Sequence, residues 1–474
     1  MSTRWFASRA VAVSPERLLA VTWGRPGRSF FDAPGGLTVA GLGEAEVVAT
    51  DGPRRIEDLG TAADALLDSL GNIDALVDVG RPVLVGGFAF SGEGRPSGPW
   101  AGWQPARLVL PEVALVQRGE QRTLFAVAPR GMPEEAAGSW LDRRLDEAVE
   151  ALAHAGTQYA ETVGSATAAA WGFVAGVTRG RGSRPAPRAA SAGGLALREV
   201  APTPITSDPY EDLVADGLAA IGGGRLRKVT LARSRRFGRV RRTAPPVVMD
   251  ALACSYPRCF RFWIEPAGRS AFAGASPERL VARQGTAVRA DALAGTVGRS
   301  DEAAADANLG ALLLANNKER REHEAVVSFL RERLGRFGDE VKAPEVPGLL
   351  KLANVQHLHT PFTVTVSDDD GPGILELAAA VHPTPAVAGV PAEEATHWIS
   401  EYEELERGWY AGGVGVVEHG GDGELCVAIR SGLFEDDALT LFAGAGVVSG
   451  SDPAREAREV EQKMRALRDL LVEG

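Results

Sequence analysis

The sequence predicts a fold in which β-strands and α-helices are interspersed along one chain. Short apolar runs typical of buried strands occur in both halves, and segments with helical periodicity separate them. No Gly-rich turn of the dinucleotide-binding type joins a strand to a helix, and the isolated run at residues 222–224 predicts the end of a helix. With 474 residues, the chain is long enough for two or three domains or for one large assembly.

The first half is predicted to contain strands, turns and a few helices. Apolar runs predict strands at residues 82–90, 107–110 and 123–127. Helical periodicity predicts helices at residues 56–70 and 134–154. Residues 178–204 are rich in Arg, Pro, Gly, Ala and Ser without any period, which predicts a long loop.

The second half has a more regular pattern. Two Ser-Asp-Pro sequences, at Ser207 and at Ser451, are typical helix starts, and they predict helices that end near residues 221 and 471. A further long helix is predicted from residue 301 towards residue 337, and its pattern allows an interruption within it. The predicted strands of this half are residues 228–233, 260–264, 270–274, 426–433 and 441–448.

Composition excludes several classes of protein. Hydrophobic residues make up 45% and charged residues 24%, as in ordinary globular proteins. The net charge of −11, without a basic arm, argues against nucleic acid or an anionic membrane as partner. The N-terminus has no apolar core of a signal peptide, and no run approaches the roughly 20 apolar residues of a membrane span. Cys254, Cys259 and Cys426 have no metal-binding spacing, so we expect reduced thiols in a cytoplasmic protein.

Two predicted helices carry acidic and basic side chains on one face. Glu456, Glu459 and Lys463 share a face of the last helix, and Lys318 and Glu322 are four residues apart on the earlier one. The simplest interpretation of each group is a solvated surface. However, a carboxylate on each of two helices is also how Mg²⁺ is held, if the helices meet.

Other polar residues occur in unusual places. Glu278 follows a strand behind a Ser-Pro turn, where it could simply be a helix-start charge. Residues 355–361 and 382–389 are rich in His, Thr and Pro and are predicted to be loops. Arg430 falls inside the predicted strand 426–433, where a buried charge requires an anionic ligand or a core carboxylate. The chain has only five lysines, so Lys228 is a candidate for a site that needs an amine rather than a guanidinium.

Taken together, these segments resemble the chorismate-utilising enzymes, which include isochorismate, salicylate, anthranilate and aminodeoxychorismate synthases. The resemblance runs from about residue 207 to residue 471. It is carried by Lys228-Val-Thr-Leu-Ala-Arg, Gly274-Ala-Ser-Pro-Glu-Arg-Leu, Ala292-Leu-Ala-Gly-Thr, Lys318-Glu-Arg-Arg-Glu-His, Val355-Gln-His-Leu, His382-Pro-Thr-Pro-Ala-Val, Glu406-Arg-Gly-Trp-Tyr-Ala-Gly, Ile429-Arg-Ser-Gly and Phe442-Ala-Gly-Ala-Gly.

The resemblance implies an α+β fold, a single large chorismate-binding domain with antiparallel sheets packed face to face and helices outside. Residues 1–204 would be the variable N-terminal part of that fold, with a loop near 178–204, and residues 205–474 would form the catalytic region. The substrate would be chorismate and the cofactor Mg²⁺.

The same resemblance implies a role for each matching residue. Lys228 would activate the attacking water and Glu278 would act as general acid. Glu322 and Glu459 would bind the metal, with Glu456 assisting through water. The residues implied to bind substrate are Thr296, His357, Ala386, Tyr410, Arg430, Gly444, Gly446 and Lys463.

Within the family, the residues favour an isochorismate synthase. Ammonia-using relatives generally lack the lysine at position 228, and aminodeoxychorismate synthases often carry a lysine in the segment that here reads Ala292-Leu-Ala-Gly-Thr, where this chain has alanine. We expect no glutamine amidotransferase subunit and a monomer. The alternatives are a salicylate synthase, which goes on to eliminate pyruvate, or a homologue that binds chorismate without turnover. Menaquinone and siderophore synthesis both remain open as destinations of the product.

Overall fold

The computed structural model describes residues 4–21, 27–73, 80–92, 96–163, 197–199, 209–239, 245–338, 340–353, 355–367 and 371–471. The α-helices in these ranges are α1 (Glu16–Ala20), α2 (Arg55–Asp68), α3 (Glu134–Val163), α4 (Pro209–Gly222), α5 (Pro245–Ser255), α6 (Ala303–Ala315), α7 (Asn317–Leu334), α8 (Ile374–Val381), α9 (Ala392–Tyr402) and α10 (Pro453–Leu471). None of these helices has the length and apolar character needed to cross a membrane.

The strands occur throughout the described chain. They are β1 (Arg4–Ala10), β2 (Arg28–Asp32), β3 (Leu37–Leu42), β4 (Glu46–Thr50), β5 (Leu70–Asn72), β6 (Leu84–Phe88), β7 (Ala106–Leu110), β8 (Val113–Arg118), β9 (Gln121–Val127), β10 (Leu197–Glu199), β11 (Lys228–Arg239), β12 (Phe260–Glu265), β13 (Ala271–Ser276), β14 (Arg279–Gln284), β15 (Ala287–Gly298), β16 (Val341–Lys342), β17 (Gly348–Lys351), β18 (Val355–Thr365), β19 (Gly389–Val390), β20 (Gly413–Val417), β21 (Gly423–Val427), β22 (Ser431–Phe434) and β23 (Ala438–Val448).

The strands form two large sheets. Sheet I has the order β10-β11-β23-β22-β13-β12-β2-β3-β8-β9-β1-β5, with β19 also paired to β11. Sheet II has the order β16-β18-β15-β14-β21-β20-β6-β7-β4, with β17 also paired to β18. The pairs are antiparallel, apart from the parallel pair of β1 and β5. In both sheets, strands from the first and second halves of the chain are neighbours, as in the pairs β2–β12 and β6–β20.

One hydrophobic core joins the two sheets. Phe30 and Phe272 from sheet I and Phe88 and Val414 from sheet II are completely buried in the same cluster. Helix α10 packs against β23, and α7 packs against β15. The predicted α+β class with antiparallel sheets is therefore confirmed.

Most predicted elements are present, because their patterns are local. The long helix near residues 301–337 is interrupted at Asn316, whose extended backbone separates α6 from α7. Its side-chain oxygen accepts the backbone N–H groups of Lys318 and Glu319, so it caps α7. Strand β8 was not predicted from the sequence.

Two local predictions were wrong, and one alternative interpretation is excluded. Residues 355–361 are not a loop but part of β18, because they pair with β15 along its length. Arg430 is not inside a strand: it lies between β21 and β22 with a φ of 52°, where the chain changes direction. Glu278 is not at a helix start but joins β13 to β14.

The predicted loop at 178–204 lies mostly outside the described residues, as do Ser207 and Asp208 before α4. Residues 197–199 within it form β10, which pairs with the far end of β11. The loop prediction was wrong for these three residues, since a neighbouring strand supplies hydrogen bonds that composition does not reveal.

Candidate active site

The residues to which the resemblance assigned roles surround a single cavity of about 140 Å³. Strands β11 and β23 of sheet I, strands β15 and β18 of sheet II, and helices α7 and α10 contribute to its walls. The predicted residues that line it are Lys228, Glu278, Thr296, Glu322, His357, Ala386, Tyr410, Arg430, Gly444, Gly446, Glu456, Glu459 and Lys463.

Glycines in β23 let the helices approach the sheet. Gly446 pairs with Thr230 of β11. A Cβ atom at Gly446 would lie 2.7 Å from Glu322 Oε1 and 3.0 Å from Lys228 Cε, closer than side chains can pack. The absence of a side chain at this position therefore makes room for the charged groups of β11 and α7.

Lys228 is a buried amine at the start of β11. Only 3% of its surface is exposed, and its Nζ lies 2.8 Å from Glu322 Oε1. This contact shows that α7 and β11 meet at the cavity, which helical spacing alone did not reveal. The carboxylate compensates the buried ammonium group.

Glu278 is a buried carboxyl group with an unusual environment. It is 3% exposed, and its Oε1 has no hydrogen-bond partner among the described residues. Burial raises the pKa of Glu278 to about 8, although the positive charge of Lys228 opposes the rise and Asp291 adds to it. Glu278 therefore carries a proton at neutral pH, as a general acid must.

Four carboxylates from two helices converge on the cavity: Glu319 and Glu322 from α7, and Glu456 and Glu459 from α10. Burial, with repulsion from neighbouring carboxylates, raises the pKa of Glu319 and of Glu456. Glu319 was missed in the sequence, although its place three residues before Glu322 on one helix could have indicated it.

Lysines partly neutralise this acidic cluster. Lys463 Nζ lies 2.8 Å from Glu459 Oε1, and Lys318 Nζ lies 3.7 Å from Glu456 Oε1. No described residues form a compact set of three or more metal ligands. The crowded carboxylate oxygens nevertheless are the donor type that suits a hard divalent cation. The residues present thus fit a cation such as Mg²⁺.

Other polar groups at the cavity are neutral or positively charged. His357 Nδ1 lies 2.9 Å from Thr296 Oγ1 and 3.3 Å from the Gly295 carbonyl oxygen. Burial lowers the pKa of His357 to about 3, so the ring is neutral. Since Nδ1 faces a carbonyl, it carries the proton, and the buried Nε2, which has no partner among the described residues, can accept a hydrogen bond.

Tyr410 and Lys463 are held beside the glycines of β23. The Tyr410 ring stacks on Phe442 at 5.4 Å between centroids, and burial raises the pKa of its hydroxyl. Lys463 Nζ donates to the Gly444 carbonyl oxygen at 2.8 Å. Arg430 lies next to this group with its backbone in the left-handed region. Together they form a region of hydrogen-bond donors able to bind carboxylate groups.

Arg407 also lines the cavity, and no role was assigned to it from the sequence. Its Nε donates to Glu403 Oε1 at 2.6 Å, and its other nitrogens bind the carbonyl oxygens of Val387 and Thr230. Both residues follow the end of α9 and lie outside any helix, so helical spacing could not have indicated the pair. This buried pair supports the cavity wall.

Comparison with known proteins gives several named relatives. The chain is 40% identical over 264 residues to the salicylate biosynthesis isochorismate synthase of Pseudomonas aeruginosa, a match that covers 55% of this chain and 54% of that protein. It is 37% identical over 279 residues to the isochorismate synthase DhbC of Bacillus subtilis, covering 56% and 68%. The match thus spans about half the length of the first relative.

Solved structures share the fold over nearly the whole chain. MenF, the menaquinone-specific isochorismate synthase from Escherichia coli, superposes with a TM-score of 0.73 at 23% identity, covering 99% of this chain and 95% of that one. Anthranilate synthase component I from Streptococcus pneumoniae superposes with a TM-score of 0.67 at 19% identity, covering 92% and 93%. The family model described as chorismate binding enzyme matches residues 9–168 and 188–472. Because this match includes most of the sequence, the chain belongs to the chorismate binding enzyme family.

Proposed function

We propose that the protein is an isochorismate synthase, which converts chorismate to isochorismate with the help of Mg²⁺. The observation that carries the proposal is that the amine of Lys228 and the protonated carboxyl group of Glu278 line one cavity. Membership of the chorismate binding family and the names of the related isochorismate synthases support it.

The reaction requires a base and an acid at two different carbon atoms. In its neutral form, Lys228 Nζ accepts a proton from the water whose oxygen bonds to C2 of the ring. The ring double bonds shift, the C4–O bond breaks, and Glu278 gives its proton to the departing hydroxide, which leaves as water. Each of these proton transfers is typically worth about 10²–10⁴-fold in rate.

Chorismate is a dianion, so an acidic protein must provide local positive charge and hydrogen-bond donors. In our proposal Arg430 and Tyr410 bind the enolpyruvyl carboxylate. Lys463 and the backbone of β23 at Gly444 and Gly446 bind the ring carboxylate. The walls beside the ring are formed by Thr296, His357 and Ala386.

Glu322 and Glu459 would hold Mg²⁺, with Glu456 assisting through water. When bound, the cation would supply positive charge next to a substrate carboxylate. Glu322 contacts the Lys228 amine in this structure, so the proposed base adjoins one of the residues that would hold the cation.

We further propose a cytoplasmic protein that acts as a monomer without a glutamine amidotransferase subunit. The motif of an amidotransferase nucleophile is absent from the sequence. Water, rather than ammonia, is the nucleophile of the proposed reaction, so no ammonia-producing partner is needed.

Incubation of the purified protein with chorismate and Mg²⁺, followed by chromatography of the products, tests the proposal. We expect isochorismate, and we expect its formation to stop when a chelator removes the cation. Formation of salicylate together with pyruvate would instead identify a salicylate synthase. Unchanged chorismate would indicate a homologue that binds chorismate without converting it.

A further inference from the structure

A row of charged side chains crosses four neighbouring strands of sheet II beside Glu278. The row consists of His359 on β18, Asp291 on β15, Arg279 on β14 and Glu424 on β21. The exposed fractions of these side chains lie between 9% and 25%. None of them lines the cavity. Removing charges from water costs free energy, so the presence of this partly buried row needs an explanation.

Arg279 is the first residue of β14 and follows Glu278 directly. Its Nη1 donates to Asp291 Oδ2 at 2.8 Å, and its Nε donates to Glu424 Oε1 at 2.9 Å. The Glu278 carbonyl oxygen accepts the Val427 N–H at 3.0 Å. The two carboxylates thus fix the guanidinium group, and with it the start of the strand that Glu278 precedes.

Asp291 is the centre of the row. Besides Arg279, it binds His359, whose Nε2 lies 2.9 Å from Asp291 Oδ1. Residues two apart on a strand share a face of the sheet, and the residues two positions along β15 and β18, Leu293 and His357, line the cavity. The row is therefore an extension of the cavity wall away from the ligand space.

We propose that Asp291, held in place by Arg279 at the start of the strand that Glu278 precedes, sets the charge environment of the general acid Glu278, a role that rests on the proposed function. It holds the strand entry from which Glu278 reaches the cavity. It also presents a carboxylate near Glu278 from outside the ligand space.

The charges around Glu278 support this role. Lys228 from β11 lowers the pKa of Glu278, whereas Asp291 from β15 raises it. The charge of Arg279 is compensated by its two carboxylate partners. The other titratable groups nearby are Cys426 of β21, neutral His357 of β18 and Arg430 of the β21–β22 connection. Asp291 is the carboxylate that opposes the effect of Lys228 and helps to keep the proton on Glu278.

Infrared titration of the intact protein tests the proposal, with Glu278→Gln used to assign the carboxyl band of Glu278. Asp291→Asn should lower the pKa of Glu278 from its value of about 8, because it removes the opposing charge. Glu424→Gln is the matched control: it removes the other partner of Arg279 and should leave that pKa in place. In turnover, Asp291→Asn should move the basic limb of kcat to lower pH with little change in KM for chorismate.

An unchanged pKa in Asp291→Asn, or equal shifts in Asp291→Asn and Glu424→Gln, would overturn the proposal. Asp291→Ser, also neutral and able to accept from Arg279, is the second variant should the first not fold. The infrared measurement requires no turnover, so it decides the role of Asp291 even if chorismate is not converted. A failure of the proposed function would be visible separately as the absence of isochorismate.

Discussion

At the scale of single residues, Glu278 shows how burial prepares a side chain for acid chemistry. Its Oε1 lacks a hydrogen-bond partner in the part of the chain that the structure describes, and its pKa is raised to about 8. An acid must be protonated to act, so activity should fall as the pH rises through this value. The pH profile of kcat measures this basic limb.

Glu278→Gln should lower kcat by about 10²–10⁴-fold, because the amide cannot give up a proton. It should fold normally, since it keeps the shape of the side chain and removes no hydrogen bond to Oε1. A basic limb that persists unchanged in a residually active Glu278→Gln variant would assign the titration to another group.

The substitution Lys228→Arg tests whether Lys228 acts as the base. The guanidinium group keeps the positive charge opposite Glu322 but does not release a proton near neutral pH, so kcat should fall by about 10²–10⁴-fold. Lys342→Arg is the control, because the Lys342 side chain is 68% exposed and is paired with Glu340 at the surface. Comparable turnover in the two variants would contradict the role of Lys228.

At the scale of elements, β23 must lack side chains where α7 reaches it. Gly446→Ala should displace the Lys228–Glu322 pair, since the new Cβ would lie 2.7 Å from Glu322 Oε1. A displacement of this kind typically costs about 10²-fold in activity. Gly298→Ala, at the end of β15 with no atom within 4 Å of the added Cβ, is the control. Wild-type kcat/KM in Gly446→Ala would show that the close approach does not matter.

Helix α7 depends on its cap as well as on its packing. Asn316→Ala removes the side-chain acceptor for the N–H groups of Lys318 and Glu319, so it should lower the free energy of unfolding by about 1 kcal/mol. The neighbouring Asn317→Ala should be neutral or slightly stabilising, because alanine is the better helix former. Urea denaturation of both variants measures the difference, and equal stabilities would exclude the cap as a determinant.

At the scale of the whole molecule, the two halves of the chain share both sheets. Strand β12 pairs with β2, and β20 pairs with β6. A fragment of residues 205–474 would expose these strand edges and part of the core. We expect it to be unfolded or aggregated when produced alone, as judged by circular dichroism and gel filtration. A monomeric, folded fragment with isochorismate-forming activity would show that the second half is an independent domain.

Some of the structure could be predicted from the sequence because it depends on nearby residues. The helical period placed α10 and both segments of the helix broken at Asn316, and apolar runs placed β12 and β13. The resemblance named residues that line one cavity, among them Lys228, Glu278 and Glu459. These signals belong to side-chain identity and spacing, which every segment carries with it.

Which strands and side chains those residues contact depends on the tertiary structure. Residues 355–361 became a strand through pairing with β15, and the row from His359 to Glu424 exists because β18, β15, β14 and β21 are neighbours. The sequence identified many of the side chains that line the cavity, but not Glu319 or Arg407. Their burial and partners, and therefore the proton on Glu278, depend on contacts between segments far apart in the chain, which local spacing does not encode.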